Sequence, residues 1–157
     1  MTVRIAQLER RRVAAVRHVG PYMNIGEAFT RLHRIAAAAG LSMEEPGSLV
    51  AIYYDDPRTT PAEALRSDAG LVISESTVLP AGLTAEHFVA GPYATTTYRG
   101  PYSGLPAAWA GLLGEGLSST GRTMAPGPNY EIYRNTPMDT APQDLVTELY
   151  VPVTAGA

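Results

Sequence analysis

Cysteine and lysine are both absent from this 157-residue chain, and phenylalanine occurs only twice. Without cysteine there is no disulfide staple, no thiolate zinc site and no cysteine nucleophile. Charged residues make up only 17% of the chain and the net charge is −3, so the global field does not favour a nucleic-acid backbone. The one basic run, Arg10-Arg11-Arg12, reads as a solvated strand entrance. No apolar stretch approaches the eighteen or so residues that span a bilayer, and none follows the N-terminal charges as a secretory leader would. The expectation is a cytoplasmic protein with no membrane or nucleic-acid partner. His18, His33 and His87 fall in different elements without ligand spacing, and no glycine-rich phosphate loop or nucleophile elbow is present, so neither a metal nor a cofactor is expected.

What the chain does have is repetition. Gly20-Pro21-Tyr22 recurs as Gly100-Pro101-Tyr102, and Ile52-Tyr53 with Pro57 recurs as Ile132-Tyr133 with Pro137, both at a step of 80 residues. Two landmarks keeping one offset imply two copies of one structural unit, with function expected where the copies meet.

Val13 to Val19 reads as a strand closed by Gly20-Pro21. Ile25, Ala28, Phe29, Leu32, Ile35 and Ala36 recur at helical spacing, with Gly40 as the C-cap. Leu49 to Tyr54 and Gly70 to Ile73 read as strands, with a loop or helical turn over Pro61 to Asp68 between them. The second half repeats the order: a strand over Ala94 to Tyr98, a helix through Ala108, Trp109, Leu112 and Leu113 weakened by Gly111, Gly114 and Gly116, then strands over Tyr130 to Tyr133 and Leu145 to Val153. The expected fold class is α+β: a tandem duplication of a strand-helix-strand-strand module, with antiparallel sheets, helices on one face and a ligand groove between the halves. The halves span about 13–74 and 88–153, joined by a linker at about 75–87, all within one domain over 1–157.

The segments His18-Val19-Gly20-Pro21-Tyr22, Tyr130-Glu131-Ile132-Tyr133 with Pro137, and Thr147-Glu148-Leu149-Tyr150-Val151-Pro152-Val153 resemble the GyrI-like small-molecule-binding family, which includes the effector-binding domains of AraC-type and multidrug-responsive regulators. The resemblance runs from about Val13 to Val153. It implies a groove that takes up flat, hydrophobic and often cationic compounds, with a buried glutamate on the last strand, here Glu148. It also implies a stand-alone form, since both helices belong to the two copies and none remains for a helix-turn-helix.

Two observations on the residues bear on that site. Aligning Leu71 with Leu149 sets Gly70 opposite Glu148, so the copies differ where a carboxylate would otherwise be costly to bury. Its partner is then a ligand, an arginine such as Arg4, Arg17 or Arg99, or water at a strand edge. Nine tyrosines against two phenylalanines suit a binding surface better than an ordinary core, because tyrosine joins an apolar body to a polar tip. The candidate ligand-binding residues are Glu148, Tyr150, Tyr133, Tyr53, Trp109, Tyr102 and Tyr22. Trp109 and Phe29, which match across the copies, have core packing as their plainer role, and Tyr22 and Tyr102 have that of fixing the start of each helix. Three functions follow from the resemblance: a binder for xenobiotic sensing, sequestration or detoxification; a hydrolase of cyclopropane-containing genotoxins using Glu148 and Tyr133; and a protein partner of DNA gyrase.

Overall fold

The computed structural model describes residues 1–156. Eight strands form one antiparallel sheet: β1 (Arg4–Leu8), β2 (Arg12–Val19), β3 (Leu49–Tyr53), β4 (Arg66–Ile73), β5 (Thr84–His87), β6 (Gly91–Arg99), β7 (Asn129–Tyr133) and β8 (Val146–Pro152). Their order is β1-β6-β8-β7-β3-β4-β2-β5. This order reads the same from either end once each strand is exchanged for the one 80 residues away.

Two of these strands were not expected. β1 lies in what reads as an N-terminal extension and β5 in the expected linker, so each half runs strand, strand, helix, strand, strand. Both cross over: β1 pairs with β6 of the second half and β5 with β2 of the first. Local pattern cannot reveal such pairing, because Thr84–His87 is a polar edge strand whose only apolar residue is Ala85.

α1 (Gly26–Ala38) follows the Gly20-Pro21 turn and buries Ala28, Leu32 and Ala36, the expected stripe. Each fully buried leucine of this kind contributes about 1.5–3 kcal/mol. Gly40, at φ +72°, closes the helix. Leu41 N–H donates to the Ala36 carbonyl at 2.9 Å and Gly40 N–H to that of Ala37 at 3.1 Å, the paired bonds of a Schellman cap. α2 (Leu105–Gly111) is shorter and passes into one wide π-type turn, Leu112–Gly116, as its glycines lead one to expect. Both helices cover the same sheet face: α1 packs on Ala14, Val16, Ala69 and Leu71, and α2 on Ala94, Leu149 and Val151.

The other face is also covered. The Phe88 ring, just beyond edge strand β5, lies 4.9 Å from that of Tyr130 on β7, although four strand spacings in a flat sheet would separate them by about 19 Å. The sheet therefore curls over a second core containing Val13, Ile52, Phe88, Tyr93, Tyr130 and Tyr150. Arg12 closes this end by donating to the carbonyls of Ser74 and Thr77, the former at 3.3 Å, so the last arginine of the basic run is a loop clamp.

Candidate functional site

The two innermost strands, β3 and β7, pair so that Ala51 lies opposite Glu131, with Leu49 opposite Tyr133 and Tyr53 opposite Asn129. Ala51 and Glu131 are themselves 80 residues apart, so the glutamate sits on the pseudo-twofold axis beside its own counterpart. Alternation along β7 turns Glu131 and Tyr133 toward the helices and Tyr130 and Ile132 away from them.

Glu131 is only 3% exposed. Its Oε1 accepts hydrogen bonds from the Tyr53 hydroxyl at 2.7 Å and the Tyr133 hydroxyl at 2.6 Å. Oε2 accepts from the Trp109 indole Nε1 at 2.6 Å. Burying a carboxylate costs several kcal/mol, and three short bonds to a charged acceptor, at about 1.5–3 kcal/mol each, offset that cost. No arginine or histidine lies within ion-pair distance of it among the described residues. The charge is thus held entirely by neutral donors.

Six aromatic rings enclose this carboxylate in two sets related by the 80-residue step. Tyr53 packs on Tyr22 at 4.7 Å and on Trp109 at 6.3 Å; Tyr133 packs on Tyr102 at 5.6 Å and on Phe29 at 5.7 Å. Each helix ring therefore crosses the axis to the other half's tyrosine. Phe29, packed on Tyr133, has no donor to offer. Trp109, its counterpart, supplies the indole N–H, so the two departures from symmetry, Ala51 to Glu131 and Phe29 to Trp109, answer one another.

Burial, and next the charge of Glu131, push the Tyr53 and Tyr133 hydroxyls well above the ordinary tyrosine range. Both therefore remain protonated donors through the physiological range. Burial likewise raises Tyr102, with Glu131 adding to it. Tyr22 holds its helix start in place: its hydroxyl donates to the Asp55 carbonyl at 2.6 Å and accepts from the Asp55 N–H at 3.0 Å. The plainer role read for Tyr22 and the ring contact with Tyr53 coexist.

Of the residues singled out in the sequence, Tyr22, Tyr53, Tyr102, Trp109 and Tyr133 converge here; Glu148 and Tyr150 do not. Glu148 pairs in register with Ile132 and Thr97, which places it on the face away from the helices. Its closest cation is Arg134 at 3.8 Å, a partner not among the arginines considered. Tyr150 packs in the second core against Tyr93. The expected alignment of Gly70 with Glu148 is corrected by the register: Asp68 faces Ile52 as Glu148 faces Ile132, so Asp68 is the true counterpart at a step of 80. Both halves carry an acid there, each beside an arginine, Asp68 with Arg17 at 2.7 Å. The expected asymmetry therefore belongs to Glu131 instead. The signal for it in the sequence was a carboxylate inside Asn129–Tyr133, one 80-residue step from an alanine.

A family model described as the GyrI-like small molecule binding domain matches residues 1–154. The chain belongs to this family. A protein named DNA gyrase inhibitor from Escherichia fergusonii is 30% identical over 157 residues, covering 98% of each chain. Among solved structures, the EcmrR C-terminal domain superposes with a TM-score of 0.77 at 14% identity, covering 98% of this chain and 97% of that one. SAV2435 bound to tetraphenylphosphonium superposes at 0.72 and 13% identity, covering 98% and 94%. These low identities speak to the fold alone. The described residues of this GyrI-like chain include no helix long and apolar enough to cross a membrane.

Proposed function

We propose that this protein binds a flat or globular hydrophobic cation between its two helices, at the Glu131 carboxylate and the aromatic rings that enclose it. One observation carries the reading: a buried carboxylate whose charge is held by Tyr53, Tyr133 and Trp109, with no cationic partner among the described residues. Such a group attracts an organic cation, and the tyrosine and tryptophan faces add cation–π attraction of about 0.5–2 kcal/mol per ring. The tetraphenylphosphonium held by SAV2435, a relative in fold, is the kind of compound these groups suit. The role is uptake of drug-like compounds for sensing, sequestration or detoxification. DNA gyrase inhibition, the activity named for the relatives, is a separate reading, and a carboxylate shielded by six rings favours a small molecule over a protein surface.

Trp109 is the only tryptophan, so its fluorescence reports the site without labelling. Titration with tetraphenylphosphonium is expected to quench it saturably, with the compound recovered intact on mass analysis. A water-added product from a cyclopropane-containing substrate would make the protein a hydrolase, and no change in fluorescence with any hydrophobic cation would overturn the reading.

A further inference from the structure

Three buried side-chain hydroxyls have no hydrogen-bond partner among the described residues: those of Ser67, Thr95 and Thr147. Buried polar groups are paired in the great majority of cases, so each orphan calls for a reason. Thr95 lies in register with Tyr150, on the sheet face away from the helices. Ser67 and Thr147, one 80-residue step apart, lie on the helix face instead. Ser67 is opposite Tyr53 and Thr147 opposite Tyr133, and such direct neighbours on adjacent strands hold their Cβ atoms about 5 Å apart. Each half of the aromatic site therefore ends in a fully buried hydroxyl beside one of the two tyrosines that hold Glu131.

The neighbours of these hydroxyls are already committed. Tyr53 and Tyr133 donate to Glu131. On the far side His18 lies opposite Ser67 and Tyr98 opposite Thr147. His18 Nε2 donates to the Pro21 carbonyl at 3.0 Å, and the Tyr98 hydroxyl donates to the Pro101 carbonyl at 2.7 Å. The fold leaves both hydroxyls unserved beside the one site where a ligand is proposed, and it gains nothing from them: an apolar side chain of the same shape would fill the space without an unmet bond.

The halves differ in the ring that covers the approach. Tyr22, packed on Tyr53, is tied to the Asp55 backbone by two hydrogen bonds. Tyr102, packed on Tyr133, has no hydrogen bond among the described residues and, at 37%, is the most exposed of the six rings. A ligand that turns Tyr102 aside reaches Tyr133, and Thr147 with it. We propose that the Thr147 hydroxyl is a ligand contact, hydrogen-bonding a hydroxyl or carbonyl substituent on the edge of the cation held at Glu131. This rests on the proposed function and adds a preference to it, for oxygen-bearing hydrophobic cations over purely hydrocarbon ones.

The test compares tetraphenylphosphonium carrying one para-hydroxymethyl group with its para-ethyl analogue, equal in charge and nearly equal in shape. The ratio of their affinities, hydroxymethyl over ethyl, is expected to fall about fivefold from wild type to Thr147→Val, as the loss of one hydrogen bond implies. Thr147→Ser, which keeps the hydroxyl, and Ser67→Ala are expected to leave the ratio as in wild type. The melting temperature of Thr147→Val is expected to match or exceed that of wild type, because no bond within the fold is lost. A ratio unchanged in Thr147→Val, or a fall confined to Ser67→Ala, overturns the assignment and leaves the Glu131 site standing. A Thr147→Val variant that is destabilised or does not fold also overturns it, since the hydroxyl would then serve the fold. Absence of binding by either phosphonium to wild-type protein overturns the proposed function together with it.

Discussion

Glu131→Gln is expected to weaken tetraphenylphosphonium binding by about thirtyfold or more, while Glu148→Gln leaves it within about twofold. Removing one member of a buried charge pair typically costs about 2–5 kcal/mol, and each 1.4 kcal/mol is a factor of ten. Glutamine keeps the size of the side chain and an acceptor oxygen for Tyr53 and Tyr133. Its amide nitrogen, however, faces the Trp109 indole N–H, donor against donor, where Oε2 now accepts at 2.6 Å. The indole must turn away, so the variant's fluorescence should shift even without ligand. Glu148, beside Arg134 on the opposite face, has no route to a ligand between the helices. Isothermal titration of both variants checks the pair; equal losses in the two, or a loss confined to Glu148→Gln, would move the site to the other face.

The second large effect is on stability. Tyr53 and Tyr133 supply both hydrogen bonds to Oε1. Either single change to phenylalanine should cost about 1–2 kcal/mol, because one donor remains. The double variant leaves that oxygen buried without any donor, and about 3–5 kcal/mol is expected, more than the sum of the singles. In a domain of this size that lowers the melting temperature by about 10 °C. Simple additivity, or a double variant as stable as wild type, would contradict the network. The pH dependence has a definite sign. Both hydroxyls are raised above the ordinary tyrosine value, so their contribution is present below about pH 10 and is lost as pH rises through that range, where the unfolded chain ionises first. The double variant lacks these groups and should therefore lose less stability than wild type between about pH 9 and about pH 11.

Much of this site was legible in the sequence, and the part that was not has a physical cause. The 80-residue step gave Tyr22, Tyr53, Trp109, Tyr102 and Tyr133 as matched or neighbouring positions, and all five meet. Gly40 as the cap of α1 was legible because a positive φ leaves few alternatives to glycine. That the carboxylate among the rings is Glu131 on β7, and not Glu148 on β8, was not legible, for two reasons. Aligning Leu71 with Leu149 rather than keeping the step of 80 shifted the last strands by two residues, which made Glu148 look unmatched. And because the sheet is covered on both faces, Asn129–Tyr133 carries apolar or aromatic residues on either side of the strand, so alternation gave no warning that Glu131 faces the helices. The edge strands β1 and β5 escaped for a further reason, since each pairs with the other half of the chain and owes its place to that pairing rather than to its own pattern.

Diffraction from crystals grown with tetraphenylphosphonium tests the location of the site most directly. The result expected is a phosphonium centre facing the Glu131 carboxylate, its phenyl groups against Tyr53 and Tyr133, with Trp109 displaced from Oε2. Density for the cation beside Glu148, with the three hydrogen bonds to Glu131 intact, would contradict it.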